Sequence, residues 1–352
     1  MTTPAGYSTT VAARRDDRAI GLWLFGCALM VFAMVVIGGA TRLTESGLSM
    51  AEWRPLIGFL PPLNDTEWQR VFRQTPEYRR INAGMTLTEF QTIFWWEFVH
   101  RLWGRLIGIA FLLPFLWFLL RGRIARRLAP RLALLFVLGG AQGALGWYMV
   151  KSGLVDMPSV SQYRLTAHLS LALLIHAALL WTGMSLALSP PPAIADRRLG
   201  DARRLAGATL ALVALTVIAG GFVAGTDAGL SYNTFPLMDG RLVPPGYMTG
   251  GIATAPFEDI ATIQFHHRVL AILTLAVALT TWWQTRWLVL APRGRAAAAV
   301  LAAMALLQVA LGIATLLLEV PVALGVAHQG GAVLLLSAVL WLRFELRGPA
   351  VR

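Results

Sequence analysis

The chain has 352 residues, 57% of them hydrophobic, against the roughly 45–50% apolar content of soluble domains, and its mean hydropathy of +0.62 excludes a soluble globular fold. The net charge of +12 comes mostly from arginines in short segments between apolar runs, which argues against nucleic-acid binding. Cys27 is the only cysteine, so an intramolecular disulfide and a cysteine metal cluster are also excluded; within the first apolar run it reads as a small buried apolar residue.

A helix needs about 20 apolar residues to cross the hydrocarbon core. Eight runs qualify: 20–40, 93–120, 132–150, 165–188, 205–225, 263–285, 296–318 and 322–342. The first is too long for a signal-peptide core and is followed by no small-residue cleavage site, so it is expected to stay as a helix. Asp16 and Asp17 before it argue against a mitochondrial transit peptide, which would be poor in acids. The first run ends at Gly38-Gly39 and passes into Thr41-Arg42-Leu43-Thr44-Glu45-Ser46-Gly47-Leu48-Ser49, then into a long loop with Trp53, Pro55, Pro61, Pro62 and Trp68.

The second run opens with Glu97-Phe98-Val99-His100-Arg101-Leu102-Trp103-Gly104-Arg105. Ionisable groups in a membrane segment are costly, usually face a bundle interior and mark a functional site by default. The third run carries Gln142-Gly143-Ala144-Leu145-Gly146 and the fourth Ala167-His168. The fifth ends at Gly220-Gly221 and passes into Thr226-Asp227-Ala228-Gly229-Leu230-Ser231. The sixth opens with Gln264-Phe265-His266-His267-Arg268, the seventh carries Gln308-Val309-Ala310-Leu311-Gly312, and the eighth carries Ala327-His328.

These motifs recur in order, four runs apart. The chain therefore reads as an all-α integral membrane protein whose eight transmembrane helices form two tandem, pseudo-symmetric four-helix bundles, residues 20–188 and 205–346, joined by a linker at 189–204 and flanked by tails at 1–19 and 347–352. The tails, the linker and the 121–131 and 286–295 loops are rich in arginine, whereas the alternate loops carry the acids. By the positive-inside rule both termini are cytoplasmic. Glycine-rich helix stretches can be a general device for close helix contact; the matching helix exits are harder to explain that way, because exposed loops have no packing reason to repeat.

Under this orientation His100, His168, His267 and His328 lie about 15 to 22 residues before the cytoplasmic ends of their helices, which at about 1.5 Å per residue places all four toward the outer leaflet. A lone histidine on an apolar helix is usually a packed core residue, but two repeated pairs at matching depth point to ligands. Zinc normally takes three or four protein ligands, whereas one imidazole from each of two helices suits the axial positions of a haem, giving one haem site per half. His176 and His266 have no equivalent in the other half and read as non-ligands. Arg101 and Arg268 follow the ligand histidines and meet haem propionates or reach toward the outer interface. Glu97 shares a helix face with His100, while its counterpart before His267 is the uncharged Gln264.

The set formed by Gly38-Gly39 with Thr41 to Ser49, Glu97 to Arg105, Gln264 to Arg268 and Ala327-His328-Gln329 resembles the haem A synthase family of bacterial and mitochondrial membranes. The resemblance implies oxidation of a ring methyl of haem O to a formyl group, giving haem A for terminal oxidases. It implies haem b as cofactor in the C-terminal half, on His267 and His328 with Arg101 and Arg268 near the haems. It also implies haem O as substrate in the N-terminal half, with Glu97, His100 and His168 as the catalytic set. Implied partners are membrane lipid, an electron donor, haem O synthase, oxidase assembly factors and a second copy of the chain, in a bacterial inner membrane. The outer loops lack the cysteine pairs of some members, so the chain looks like the cysteine-free type. The competing reading is a bis-histidine di-haem electron-transfer cytochrome. A transporter would place its polar site at the midplane on broken helices, and prenyl transfer would call for acid-rich metal motifs.

Overall fold

The computed structural model describes residues 5–50, 59–74, 84–153, 160–192 and 196–348, with side chains from residue 15 onward. Trp53, Pro55 and residues 349–352 of the C-terminal tail lie outside these ranges. Among the described residues the fold is all helical: α1 (Ala5–Leu43), α2 (Asp65–Gln74), α3 (Leu87–Leu120), α4 (Ala129–Gly153), α5 (Gln162–Ala187), α6 (Leu199–Gly225), a 3-10 turn (Ala228–Leu230), α7 (Ala255–Glu258), α8 (Ile260–Thr285), α9 (Pro292–Leu317) and α10 (Val322–Glu345). Eight of these are long and apolar enough to cross a membrane, and they coincide with the eight apolar runs. Most begin a few residues earlier than hydropathy suggests, because polar helix formers extend them beyond the apolar span. The clearest case is α1. It starts at Ala5 within the segment expected as a tail, where Ala12, Ala13, Arg14 and Arg15 are strong helix formers.

Local chemistry sets the ends of these helices. A capping box opens α3: Thr86 Oγ1 accepts the Glu89 N–H at 3.3 Å, and Glu89 Oε2 accepts the Thr86 N–H at 2.8 Å. This start places Glu97 and His100 about three to four turns inside a continuous helix. At the other end of α1, Glu45 adopts the left-handed conformation (φ 53°). The Ser46 N–H reaches the Thr41 carbonyl at 2.9 Å and the Glu45 N–H reaches the Arg42 carbonyl at 3.1 Å, a Schellman closure that normally takes glycine at the reversed residue. Asp227, the residue matching Glu45 in the second exit motif, takes the same conformation (φ 52°).

At the centre α1, α5 and α10 pack on one another and α6 packs on α5 and α10; α3 and α4 flank them on one side, α8 and α9 on the other. The neighbours of α1 are α3, α5 and α10, and those of α6 are α8, α10 and α5. Lipid gives no hydrophobic drive between helices, so association rests on close packing of small residues. Accordingly Ala202, Ala206, Ala278, Ala297 and Ala305 are buried, while Leu29, Leu113, Leu120 and Val137 are exposed as a lipid-facing surface. At Gly21 of α1 a methyl group would stand 2.8 Å from Ala187 Cβ of α5, so the two backbones nearly touch. Hydroxyl pairs Thr209–Thr281 and Thr216–Thr274, each at 2.8 Å, tie α6 to α8.

Candidate functional site

Each of the four histidines is placed by one helix and lies against a glycine of a neighbouring helix. A methyl group on Gly38 (α1) would stand 3.1 Å from His100 Nε2 on α3, and one on Gly146 (α4) 3.0 Å from His168 Cε1 on α5. The second set repeats this: Gly220 (α6) would meet His267 Cε1 of α8 at 3.1 Å, and Gly312 (α9) would meet His328 Cε1 of α10 at 2.9 Å. The glycines noted in the repeats therefore do more than let helices approach. They hold open the volume that the imidazoles occupy.

His267 and His328 face each other with ring centroids 6.4 Å apart and planes at 87°. His267 Nδ1 lies 3.1 Å from the Thr216 carbonyl. A carbonyl only accepts, so the proton sits on Nδ1 and the Nε2 lone pair is left for a metal. Metal–imidazole bonds of about 2.0–2.1 Å on facing rings correspond to centroids about 6 Å apart, so the donor set and spacing fit an iron with two axial imidazoles. His168 Nδ1 is buried without a hydrogen-bond partner, a donor atom with no role inside the chain. Among the described residues no three His, Cys, Asp or Glu side chains gather as a metal cluster. Sequence reasoning had no means of finding Thr216 as the orienting carbonyl, since any residue type offers one.

Glu97 is buried, at 2% exposure, and its carboxylate is fully engaged. Ser49 Oγ donates to it at 2.7 Å, the Met50 N–H at 2.6 Å, and the Arg101 guanidinium forms an ion pair with it one helical turn on. Arg101 also donates to the Met50 carbonyl. The second set holds its loop in a similar way without a carboxylate. Gln264 Nε2 donates to the Ala228 carbonyl at 2.8 Å, and Arg268 donates to Gln264 Oε1 at 3.1 Å, to the Tyr232 carbonyl at 2.5 Å and to the Thr234 carbonyl at 2.8 Å. Both arginines thus bind the loop that follows the first helix of their set, and Arg268 Nε stays buried without a partner. Arg105 lies over the Phe59 ring at 5.4 Å.

The remaining histidines are engaged elsewhere. His176 is buried and bridges three helices, with Nδ1 3.1 Å from the Ala28 carbonyl and Nε2 2.9 Å from Ser337 Oγ; both nitrogens are used, which suits a structural residue. His266 Nε2 pairs with the Tyr247 hydroxyl at 3.2 Å. Cys27 is buried, as its place in the first apolar run suggested.

The family described as cytochrome oxidase assembly protein (COX15-CtaA) matches residues 21–340. Heme A synthase of Paramagnetospirillum magneticum is 52% identical over 98% of this chain and 99% of its own length. Heme A synthase of Nitrosospira multiformis is 50% identical over 94% of both. Heme A synthase COX15 of Arabidopsis thaliana is 46% identical over 94% of this chain and 75% of its own length. With the match running through all eight long helices and all four paired histidines, the chain belongs to the cytochrome oxidase assembly protein family that includes these haem A synthases.

Proposed function

We propose that this chain makes haem A for terminal oxidases by oxidising a ring methyl of haem O to a formyl group in a bacterial inner membrane. The observation that carries this reading is the pairing of histidines against glycine clefts, on a chain about half identical to proteins named Heme A synthase. The bound haem supplies the redox chemistry.

The division of labour rests on the difference between the two histidine pairs. His267 and His328 hold a retained haem b: His267 is fixed in one tautomer by Thr216, and the carboxylate of the other set is replaced by Gln264. His100 and His168 hold the haem whose methyl is oxidised. Glu97, three residues before His100, provides a fixed negative charge there. Its three donors hold it immobile, and a preorganised charge stabilises positive character at the carbon being oxidised more than a mobile one does. Arg101 fixes Glu97 and the outer loop, and Arg268 keeps the Nε donor for a haem propionate. The recurrence of the left-handed exits Glu45 and Asp227, of the histidine–glycine contacts and of the helix neighbours favours two tandem four-helix halves, residues 20–188 and 205–346, with both termini cytoplasmic.

Extraction of haems from the purified protein, with identification by mass, tests the function. Haem b together with haem O, a hydroxylated intermediate or haem A is expected. Haem b alone at both sites would instead identify an electron carrier.

A further inference from the structure

Gln142 and Gln308 have no part in the function described above, yet each lies against one of its histidines. Gln142 Nε2 donates to the His168 backbone carbonyl at 3.0 Å and stands 3.3 Å from His168 Nε2. Gln308 Nε2 donates to the His328 carbonyl at 2.8 Å and stands 3.2 Å from His328 Nδ1. Each glutamine lies four residues before the glycine that accommodates the same imidazole, Gly146 or Gly312, so one helix face supplies both the space and a polar partner. In both glutamines the amide oxygen Oε1 is buried without a hydrogen-bond partner. A buried acceptor left unpaired is costly, and here this happens twice at matching positions.

A metal-bound imidazole carries its proton on the nitrogen away from the metal. That N–H is almost always given to an acceptor, which fixes the ring and raises its basicity as a ligand. The unpaired Oε1 is the acceptor nearest to hand. The terminal torsion of glutamine is broad and roughly two-fold, so a half-turn exchanges Oε1 with the Nε2 that now faces the ring. The turn gives up the Nε2 bonds to the His168 and His328 carbonyls, which lie inside α5 and α10 and keep their helical hydrogen bonds. It also needs a small shift of the side chain that carries Oε1 off the carbonyl oxygen and toward the ring N–H.

On the reading that His168 and His328 are haem ligands, we propose that Gln142 and Gln308 are positioning residues, each accepting the outer N–H of its haem-bound imidazole through Oε1. The bond makes the histidine a stronger donor, favours ferric iron and lowers the reduction potential of the haem.

The test uses the full-length purified protein with its haem, in the variants Gln308→Leu and Gln308→Glu, read by redox titration and ferric EPR of haem b. Gln308→Leu is expected to raise the potential and shift the g-values, and Gln308→Glu, a stronger acceptor of similar shape, to lower the potential below that of the parent. Release of haem from the leucine variant with a lowered potential in the glutamate variant also supports the proposal. Parental potentials and g-values in both variants, a raised potential in the glutamate variant, or loss of haem from both would overturn it. His328→Ala separates the two claims: if that variant keeps full six-coordinate haem b, the ligand assignment fails regardless of the glutamine results.

Discussion

At the scale of single residues, four imidazoles and one carboxylate distinguish this chain from a generic helical bundle. His267→Ala and His328→Ala are expected to lose the low-spin haem b spectrum at unchanged protein level; a full complement of six-coordinate haem b in both would refute their assignment. His100→Ala or His168→Ala should abolish haem A while haem b stays bound, as read from extracted haems. Glu97→Gln is the most discriminating change. The second set shows that a glutamine in this place can hold both its arginine and its loop, so the variant should fold and keep haem b. Only the negative charge is removed. Haem O or a singly hydroxylated product should then accumulate, and a haem A yield equal to that of the parent would leave Glu97 as an anchor for the outer loop alone. Glu97→Ala would be a poorer probe, because it leaves Arg101 buried beside an uncompensated cavity, a loss of about 3–5 kcal/mol for a broken buried pair.

At the scale of helices, what matters is the face each one presents at the level of the histidines. α4 offers a direct comparison within one element. Gly146 faces His168, whereas nothing lies within 4 Å of a methyl group built on Gly143. Gly143→Ala should therefore leave haem content and activity unchanged and stabilise the helix by about 0.5–1 kcal/mol. Gly146→Ala puts a methyl at 3.0 Å from the ring and should displace it, with strong loss of haem A formation while the haem b spectrum is retained. Equal haem A yields from the two variants would show that the glycine cleft does not position the imidazole.

At the scale of the whole molecule, the two sets of helices meet through α1, α5, α6 and α10, and on the loop side Arg42 pairs with Asp227 at 2.9 Å. Asp227 is 63% exposed, and such pairs are worth about 1 kcal/mol or less. Arg42→Ala should lower the melting temperature by no more than a few degrees and leave both haem sites filled; unfolding of the detergent-solubilised variant followed by haem absorbance checks this. An even number of spans puts both termini on one side. Cytoplasm-active reporters fused to either end should both be functional, and a periplasmic signal from either would reverse the orientation read from the arginine-rich loops.

How much was legible beforehand follows from the physics at each level. Eight spans could be read because the membrane imposes a long apolar run on every helix that crosses it. The histidines stood out because polar groups in such runs are costly and rare. The matching exits around Glu45 and Asp227, and the glutamine and glycine spacings, were visible as repeated letters, but their meaning was not. Only the folded chain brings Gly312 against His328, Thr216 against His267, and Ser49 and Met50 against Glu97, because these contacts join residues far apart in sequence and depend on which helix faces turn inward. Backbone carbonyls and N–H groups, which orient His267 and fix Glu97, leave no trace in residue identity. Sequence alone therefore determined the helices, the ligand candidates and the family resemblance, whereas tertiary structure decided which atoms hold each ligand in place and which ones, such as the amide oxygens of Gln142 and Gln308, remain unpaired.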